Sequence, residues 1–221
     1  MRFYFPNPSK SCTIARTNDH HGMTTTTGPD QQPVSRSLRG LLIAQFCGAF
    51  NDNAWKLMVA LLAIRQATAG MAPGPELETV AQTQTATAFV IFTLPLMLLS
   101  LVGGTLADRI SKRTVIITVK VAEVLLMTAG TVVLWLNPAG GMLPLIVLCG
   151  MGVHSALFSP SKYGILPELI PHERLAAGNG LLELWTFAAI LTGTAAGGFL
   201  LQAAGSHTWL APLVLTGLSI V

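Results

Sequence analysis

The sequence predicts an all-α protein that crosses a membrane several times, and three observations lead to that class. Charged residues make up only 10% of the 221 residues, whereas hydrophobic residues make up 51%. A soluble domain would carry about a quarter charged residues. The mean hydropathy of +0.59 is correspondingly high. The charges are also grouped, which leaves apolar runs near the roughly 20 residues that a helix needs to cross a bilayer.

Five long apolar runs and the start of a sixth follow one another along the chain. The predicted spans are residues 40–64, 80–106, 114–136, 143–165, 175–203 and 209–221. At about 1.5 Å per residue, the last run reaches roughly 20 Å, short of the roughly 30 Å hydrocarbon core. We therefore expect a fragment or a truncated gene product that stops inside its sixth span.

The residues before the first span have a different character. Residues 1–37 are polar and irregular, and they lack a periodic apolar face. Such a segment cannot bury a core, so we predict a disordered tail, followed by a transmembrane domain over residues 38–221. Met23 precedes a more ordinary start for a membrane protein, so the true start is either Met1 or Met23.

Several function classes are excluded by composition and motifs. The net charge of +3 comes from Lys and Arg in short connections, without the basic face that binds nucleic acid. Cys12, Cys47 and Cys149 have neither metal-ligand spacing nor an even number for a disulfide frame. The sequence contains no phosphate-binding loop and no glycine-flanked serine nucleophile. We expect no metal, no cofactor and no catalysis, and any catalytic domain would have to lie beyond Val221.

The distribution of Lys and Arg predicts the orientation in the membrane. The basic connections contain Arg36, Arg39, Arg109, Lys112, Arg113 and Arg174. The alternate connections at 66–79, 137–142 and 204–208 contain no Lys or Arg. Since basic loops remain on the cytoplasmic side, we predict a cytoplasmic N-terminus, with Arg65 as the single exception.

Polar residues near the middle of the first span are the first candidate site. They are Asn51, Asp52, Asn53 and Lys56. A charge at the bilayer centre costs about 2.5–3.5 kcal/mol on insertion scales, so this face must look into protein or water. Asp52 and Lys56 are four residues apart and can pair on one face. The two residues either only neutralise each other, which makes insertion tolerable, or bind substrate. The flanking asparagines favour the second alternative, because neutralisation does not need them.

Other polar residues within the spans leave alternatives open. Lys120 and Glu123, three residues apart in the third span, form either a structural ion pair or a cavity wall. His154, beside Ser155, is interpreted as a packing residue. Glu183 in the fifth span either pairs with a basic loop residue or lines a cavity.

Small residues on the fifth span predict a close approach by another helix. Gly193, Gly197 and Gly198 lie on or near one face, where the absence of side chains lets two backbones come together. The stripe serves either packing alone or a surface that slides against a missing partner half.

Residues 104–113, Gly-Thr-Leu-Ala-Asp-Arg-Ile-Ser-Lys-Arg, resemble the loop signature of the major facilitator transporters. That signature, Gly-x-Leu-Ala-Asp-Arg-x-Gly-Arg-Arg, also lies between the second and third spans. The one departure is Ser111 in place of glycine. The resemblance implies a cytoplasmic gating motif in which Asp108 pairs across the gate. Its residues would be Gly104, Asp108, Arg109, Lys112 and Arg113.

Further stretches resemble the bacterial lysophospholipid transporters. They are residues 46–56, 159–169 and 179–183, and the resemblance covers about 40–220. It implies a twelve-helix fold of two six-helix halves, of which this chain is the N-terminal half. It also implies movement of lysophosphatidylethanolamine-like lipid across the inner membrane to the cytoplasmic leaflet for re-acylation. Some relatives are fused to an acyltransferase and an acyl-carrier-protein ligase.

The leading hypothesis is therefore a lysophospholipid transporter that works by alternating access. The expected substrate-binding residues are Asn51, Asp52, Asn53, Lys56, Lys120, Glu123 and Glu183. The expected partners are the bilayer, the lysophospholipid, the missing C-terminal half and a fused or separate acyltransferase. Two alternatives remain open: a proton-coupled exporter with Asp52 or Glu183 as proton carrier, and a membrane module for a fused acyltransferase. Composition and spacing alone support only a transporter-like bundle.

Overall fold

The structure, a computed structural model, describes residues 36–109 and 111–220, apart from the side chains of residues 36, 106–109, 112, 113, 116 and 161. The predicted tail therefore lies almost entirely outside the described residues. The described chain forms six α-helices and contains no strand. The helices are α1 (Arg36–Ala67), α2 (Pro75–Arg109), α3 (Lys112–Leu136), α4 (Met142–Leu169), α5 (Leu175–Ala204) and α6 (Leu210–Ser219). A short 3-10 turn, His172–Arg174, precedes α5.

Four of the described helical segments are long and apolar enough to cross a membrane. They are Pro75–Thr105, Ile117–Leu136, Met142–Leu169 and His172–Ala204. α1 is absent from this group although it has 32 residues, because its polar side chains lower its hydropathy. α6 has 10 residues and is the shortest of the six.

The core of the bundle forms where α1 meets the other helices. Trp55 and Met58 of α1 are fully buried, together with Met127 of α3, Leu148 of α4 and Leu215 of α6. α1 packs most extensively on α5, and α2 packs most extensively on α4. A second apolar cluster joins the first turns of α1 to the end of α4 and the start of α5. Asp52 and Lys56, in the middle of α1, lie on the interior side of the bundle, whereas Arg39 and Arg65 near its ends are exposed.

The close approach predicted at the small residues of α5 is made by α1. A Cβ atom on Gly193 would lie 2.5 Å from the Phe50 carbonyl oxygen. A Cβ atom on Gly197 would lie 2.4 Å from the Ala54 carbonyl oxygen. Any larger residue would push the two backbones apart, so the packing alternative is the one that the structure supports for these two glycines.

The outer face of the bundle is apolar. On α2, Met97, Leu98 and Leu101 are 67–81% exposed, and Leu191 and Phe199 of α5 are 70% or more exposed. A soluble protein rarely exposes apolar surface on this scale. In a membrane, lipid tails contact these apolar side chains at no cost, so the outer face is that of a membrane protein.

Candidate functional site

A cavity of about 240 Å³ lies among α1, α2, α3, α4 and α5. α2 contributes only apolar residues to the cavity lining, whereas the other four helices contribute both polar and apolar residues. The charged lining residues are Asp52, Lys56, Lys120, Glu123 and Lys162. The polar lining residues include Gln45, Asn53, His154, Ser155, Ser159 and Thr186. An apolar bundle thus encloses both signs of charge.

Asp52 is the acidic group that α1 contributes to this cavity. Its side chain is 9% exposed, and its Oδ2 atom accepts a hydrogen bond of 2.5 Å from the Ser155 hydroxyl. The buried Oδ1 atom has no hydrogen-bond partner within the described part of the chain. Since a buried carboxylate oxygen without a partner is costly, Oδ1 is a natural acceptor for a ligand.

The pairing predicted for Asp52 and Lys56 is not formed. Both side chains are described, yet no nitrogen–oxygen contact within 4.0 Å joins them. The Lys56 ammonium lies 4.4 Å from the centroid of the Phe92 ring and 4.9 Å from that of Phe89. Aromatic faces of α2 thus hold the ammonium while Ser155 of α4 holds the carboxylate. The two charges share one cavity with separate partners.

Lys120 and Glu123 fulfil both alternatives proposed for them. The Lys120 ammonium lies 3.1 Å from Oε2 of Glu123, which is 3% exposed, and both residues line the cavity. Asn51 donates a 3.0 Å hydrogen bond to Oε1 of Glu123 and a 3.4 Å hydrogen bond to the Leu215 carbonyl. Every acceptor atom of this carboxylate is therefore bonded within the protein.

Two predicted substrate-binding residues lie away from the cavity lining. Asn51 is fully buried and points to α3 and α6, because one residue along a helix turns the side chain by about 100° from Asp52. Glu183 accepts a hydrogen bond from the Tyr163 hydroxyl and is also outside the lining. Asn53 does line the cavity, and its amide donates 2.7 Å to the Ala49 carbonyl.

Sequence reasoning missed most of the contribution of α4. Ser155, Ser159 and Lys162 all line the cavity, and their spacing of four and three residues places them on one helix face. That spacing was a signal available in the sequence. His154 contacts the Val119 carbonyl through Nε2 at 2.9 Å, whereas its buried Nδ1 has no partner among the residues that the structure describes. Gln45 donates 2.9 Å to the Thr186 hydroxyl and so links α1 to α5.

The loop between α2 and α3 is only partly described. Gly104 lies in α2, Asp108 and Arg109 end that helix, and Lys112 and Arg113 begin α3. The side chains of those four charged residues lie outside the described part, so their pairing stays a prediction. Ser111 caps α3, because its hydroxyl oxygen accepts 3.2 Å from the Thr114 amide. A serine in the glycine position of the signature therefore stabilises the start of α3.

Comparison with known sequences identifies the family. Residues 41–221 match the family model of the Major Facilitator Superfamily. The chain belongs to this superfamily and is a multi-pass membrane protein. The six helices and this match confirm the predicted all-α class and a partial major facilitator fold.

Curated relatives carry a more specific name. The lysophospholipid transporter LplT of Photorhabdus laumondii is 37% identical over 173 residues, which are 77% of this chain and 38% of the relative. The LplT of Pectobacterium carotovorum is 36% identical over 181 residues, 80% of this chain and 39% of the relative. The LplT of Cronobacter sakazakii is 34% identical over 172 residues, which are 78% of this chain and 38% of the relative. The chain thus spans about two fifths of the length of these relatives. No solved structure matches it.

Proposed function

We propose that this chain is part of a transporter that moves lysophospholipid across a bacterial inner membrane by alternating access. The observation that carries this proposal is the cavity, where carboxylates and ammonium groups meet inside an otherwise apolar bundle. The name of the curated relatives, lysophospholipid transporter, supports the substrate class.

The cavity suits the headgroup of lysophosphatidylethanolamine, which carries a phosphodiester and an ammonium group. Asp52 offers an unpartnered carboxylate oxygen to the ammonium, and the lysines offer donors to the phosphate. Such pairs are stronger inside the bundle than in water, because the effective dielectric constant is lower. The acyl chain can remain against exposed apolar faces such as Leu98 and Leu101 of α2.

The wider arrangement is part of the same proposal. A second six-helix half would face this cavity and close it in turn toward each side of the membrane. The N-terminus would be cytoplasmic, and Asp108 and its basic neighbours would form the cytoplasmic gate. An acyltransferase, fused or separate, would consume the transported lipid, and this chain would take no part in that catalysis.

A proton-coupled exporter is a second candidate, and one observation favours it. The unpartnered Oδ1 atom of Asp52 could accept a proton as readily as a ligand's ammonium. In that case a proton gradient would drive export of a drug or metabolite. Uptake assays in vesicles distinguish the two functions, because lysophospholipid flipping would proceed without a pH gradient.

The full-length gene product is reconstituted into vesicles, and the uptake of labelled lysophosphatidylethanolamine is measured. We expect Asp52→Asn to lower uptake by at least about 10-fold, the equivalent of one charge-assisted hydrogen bond. The amount of protein in the membrane should change far less, because asparagine keeps the size and the contact with Ser155.

The control is the double variant Asp52→Asn with Lys56→Gln, which removes both charges and much of their burial cost. If Asp52 binds the headgroup, the double variant inserts well and still fails to transport. Normal uptake by the double variant would show that the two charges only neutralise the cavity. Export that depends strictly on a pH gradient, with no lipid uptake by the unmutated protein, would favour the second candidate.

A further inference from the structure

Lys162 stands apart from the other cations of the cavity. Its side chain is only 7% exposed, and no described side chain or carbonyl forms a hydrogen bond or ion pair with it. Its ammonium lies 4.8 Å from the centroid of the Tyr163 ring. A largely buried ammonium that lacks an ion pair or hydrogen bond is costly, and a bound anion would offset that cost.

The other lysines of the lining have stronger local partners. Lys120 is paired at 3.1 Å with Glu123. Lys56 is only partly buried and lies over two phenylalanine rings. Lys162 has one ring, and the hydroxyl of that ring is bonded to Glu183, which fixes the position of Tyr163. Of the three ammonium groups, that of Lys162 is thus the one most in need of a ligand.

The surroundings of Lys162 on α4 supply further donors. Ser159 lies one turn earlier on the same face, lines the cavity and has no hydrogen-bond partner among the described residues. Lys162, Ser159 and Ser155 thus present their side chains to the same cavity. Glu183, and after it Asp52, which Ser155 contacts, act electrostatically on Lys162, but neither carboxylate forms an ion pair with it among the described residues.

We propose that Lys162, with the Ser159 hydroxyl, binds the phosphodiester of the headgroup, while Asp52 on the facing helix binds its ammonium. This inference rests on the proposed function and deepens it. The phosphate supplies the ion-pair partner that Lys162 lacks, and the ligand ammonium supplies the donor that Oδ1 of Asp52 lacks. The two unpartnered groups, on α1 and α4, thus match the two charges of one zwitterion.

Two lipids separate these roles. Lysophosphatidylethanolamine carries both charges, whereas lysophosphatidylglycerol carries the phosphate without the ammonium. Dissociation constants would be measured for both lipids with the protein, as its gene encodes it, in nanodiscs. We expect Lys162→Gln to raise the dissociation constants of both lipids by at least about 10-fold, since each lipid loses a charge-assisted contact to its phosphate. Lys162→Arg, which keeps the charge, should restore most of the affinity for both.

Asp52→Asn serves as the matched comparison on the facing helix. This change should weaken the binding of lysophosphatidylethanolamine strongly and that of lysophosphatidylglycerol little, because only the first lipid has an ammonium group. Lys162→Gln should reach the membrane in nearly the amount of the unmutated protein, since it breaks no hydrogen bond or ion pair among the described residues and removes a costly buried charge.

Unchanged affinity of Lys162→Gln for both lipids would overturn the assignment while leaving lysophospholipid binding intact. A loss confined to lysophosphatidylethanolamine would also overturn it, since Lys162 would then act through the ammonium site. Failure of the unmutated protein to bind either lipid would instead remove the proposed function, and this assignment with it. If Lys162→Gln lowers the amount of protein in the membrane, the affinities of the purified variant for the two lipids still decide between these outcomes.

Discussion

At the scale of single residues, Asn51 shows how one amide joins three helices. It lies on α1, donates to Glu123 of α3 and reaches the Leu215 carbonyl of α6. Its neighbour Asn53 donates only to Ala49 within its own helix. Two asparagines, two positions apart, thus have different roles: Asn51 holds helices together, and Asn53 presents a polar group to the cavity.

This difference predicts unequal stability effects. Asn51→Ala should lower the free energy of unfolding by about 1–2 kcal/mol, because it breaks a buried bond to a carboxylate between helices. Asn53→Ala, the matched control, should cost clearly less, because its bond is local to one turn of α1. Unfolding in mixed detergent micelles measures both. Equal losses for the two variants would contradict a stabilising role for the contact between Asn51 and Glu123.

At the scale of elements, the pairing of α1 with α5 depends on backbone contact. Gly193 and Gly197 face the carbonyl groups of Phe50 and Ala54, which lie either side of Asp52. α5 therefore supports the same turns of α1 that carry the candidate site. Gly152 of α4 has a comparable contact with the Phe92 carbonyl of α2, at 2.2 Å from a Cβ position. Close helix packing and the cavity thus share the same stretch of the bundle.

A single added methyl group tests this packing. Gly197→Ala should destabilise the protein, since its Cβ atom would lie 2.4 Å from a carbonyl oxygen that cannot move without its helix. Gly198→Ala is the control, because its nearest neighbour would be the flexible Leu57 side chain at 3.5 Å. Thermal denaturation in detergent should give a lower midpoint for the first variant alone. A shared midpoint would mean that α5 can shift away from α1 without cost.

At the scale of the whole molecule, a few charges lie within a mainly apolar bundle whose outer face is apolar as well. The described part buries Asp52, Glu123 and Lys162, while large apolar side chains of α2 and α5 face outward. The apolar outer face distinguishes this arrangement from that of a soluble protein and matches a bundle surrounded by lipid. The connections between helices then decide which face of the bundle meets the cytoplasm.

Orientation is tested at Ser111, an exposed residue between α2 and α3. In a background without Cys12, Cys47 and Cys149, Ser111→Cys should react with an impermeant maleimide only from the cytoplasmic side, because the loop is basic. Ala72→Cys, in the connection without Lys or Arg, should react from the opposite side. Periplasmic labelling of Ser111→Cys would contradict the proposed orientation and the cytoplasmic gate.

Much of the fold followed from the sequence, because hydrophobic length and charge position are local properties. Apolar runs separated by Pro, Gly and charged residues were enough to predict six helices, and the helices of the structure overlap those runs. The same reasoning predicted that α1 carries polar groups that must avoid lipid. A charge in a span is expensive wherever the helix lies, so Asp52 and Lys56 could be assigned to the interior without a structure.

The partners of those groups were decided only by tertiary structure. Spacing of four residues puts Asp52 and Lys56 on one face, but it does not show that the Asp52 carboxylate accepts a hydrogen bond from Ser155 of α4. Nor does it show that aromatic rings of α2 hold the ammonium. Helix periodicity determines which residues share a face, whereas the neighbouring helix, its distance and its side chains depend on how the whole bundle packs. The role proposed for Lys162 comes from that packing, because only the bundle places it in one cavity with Asp52 and without an ion pair among the described residues.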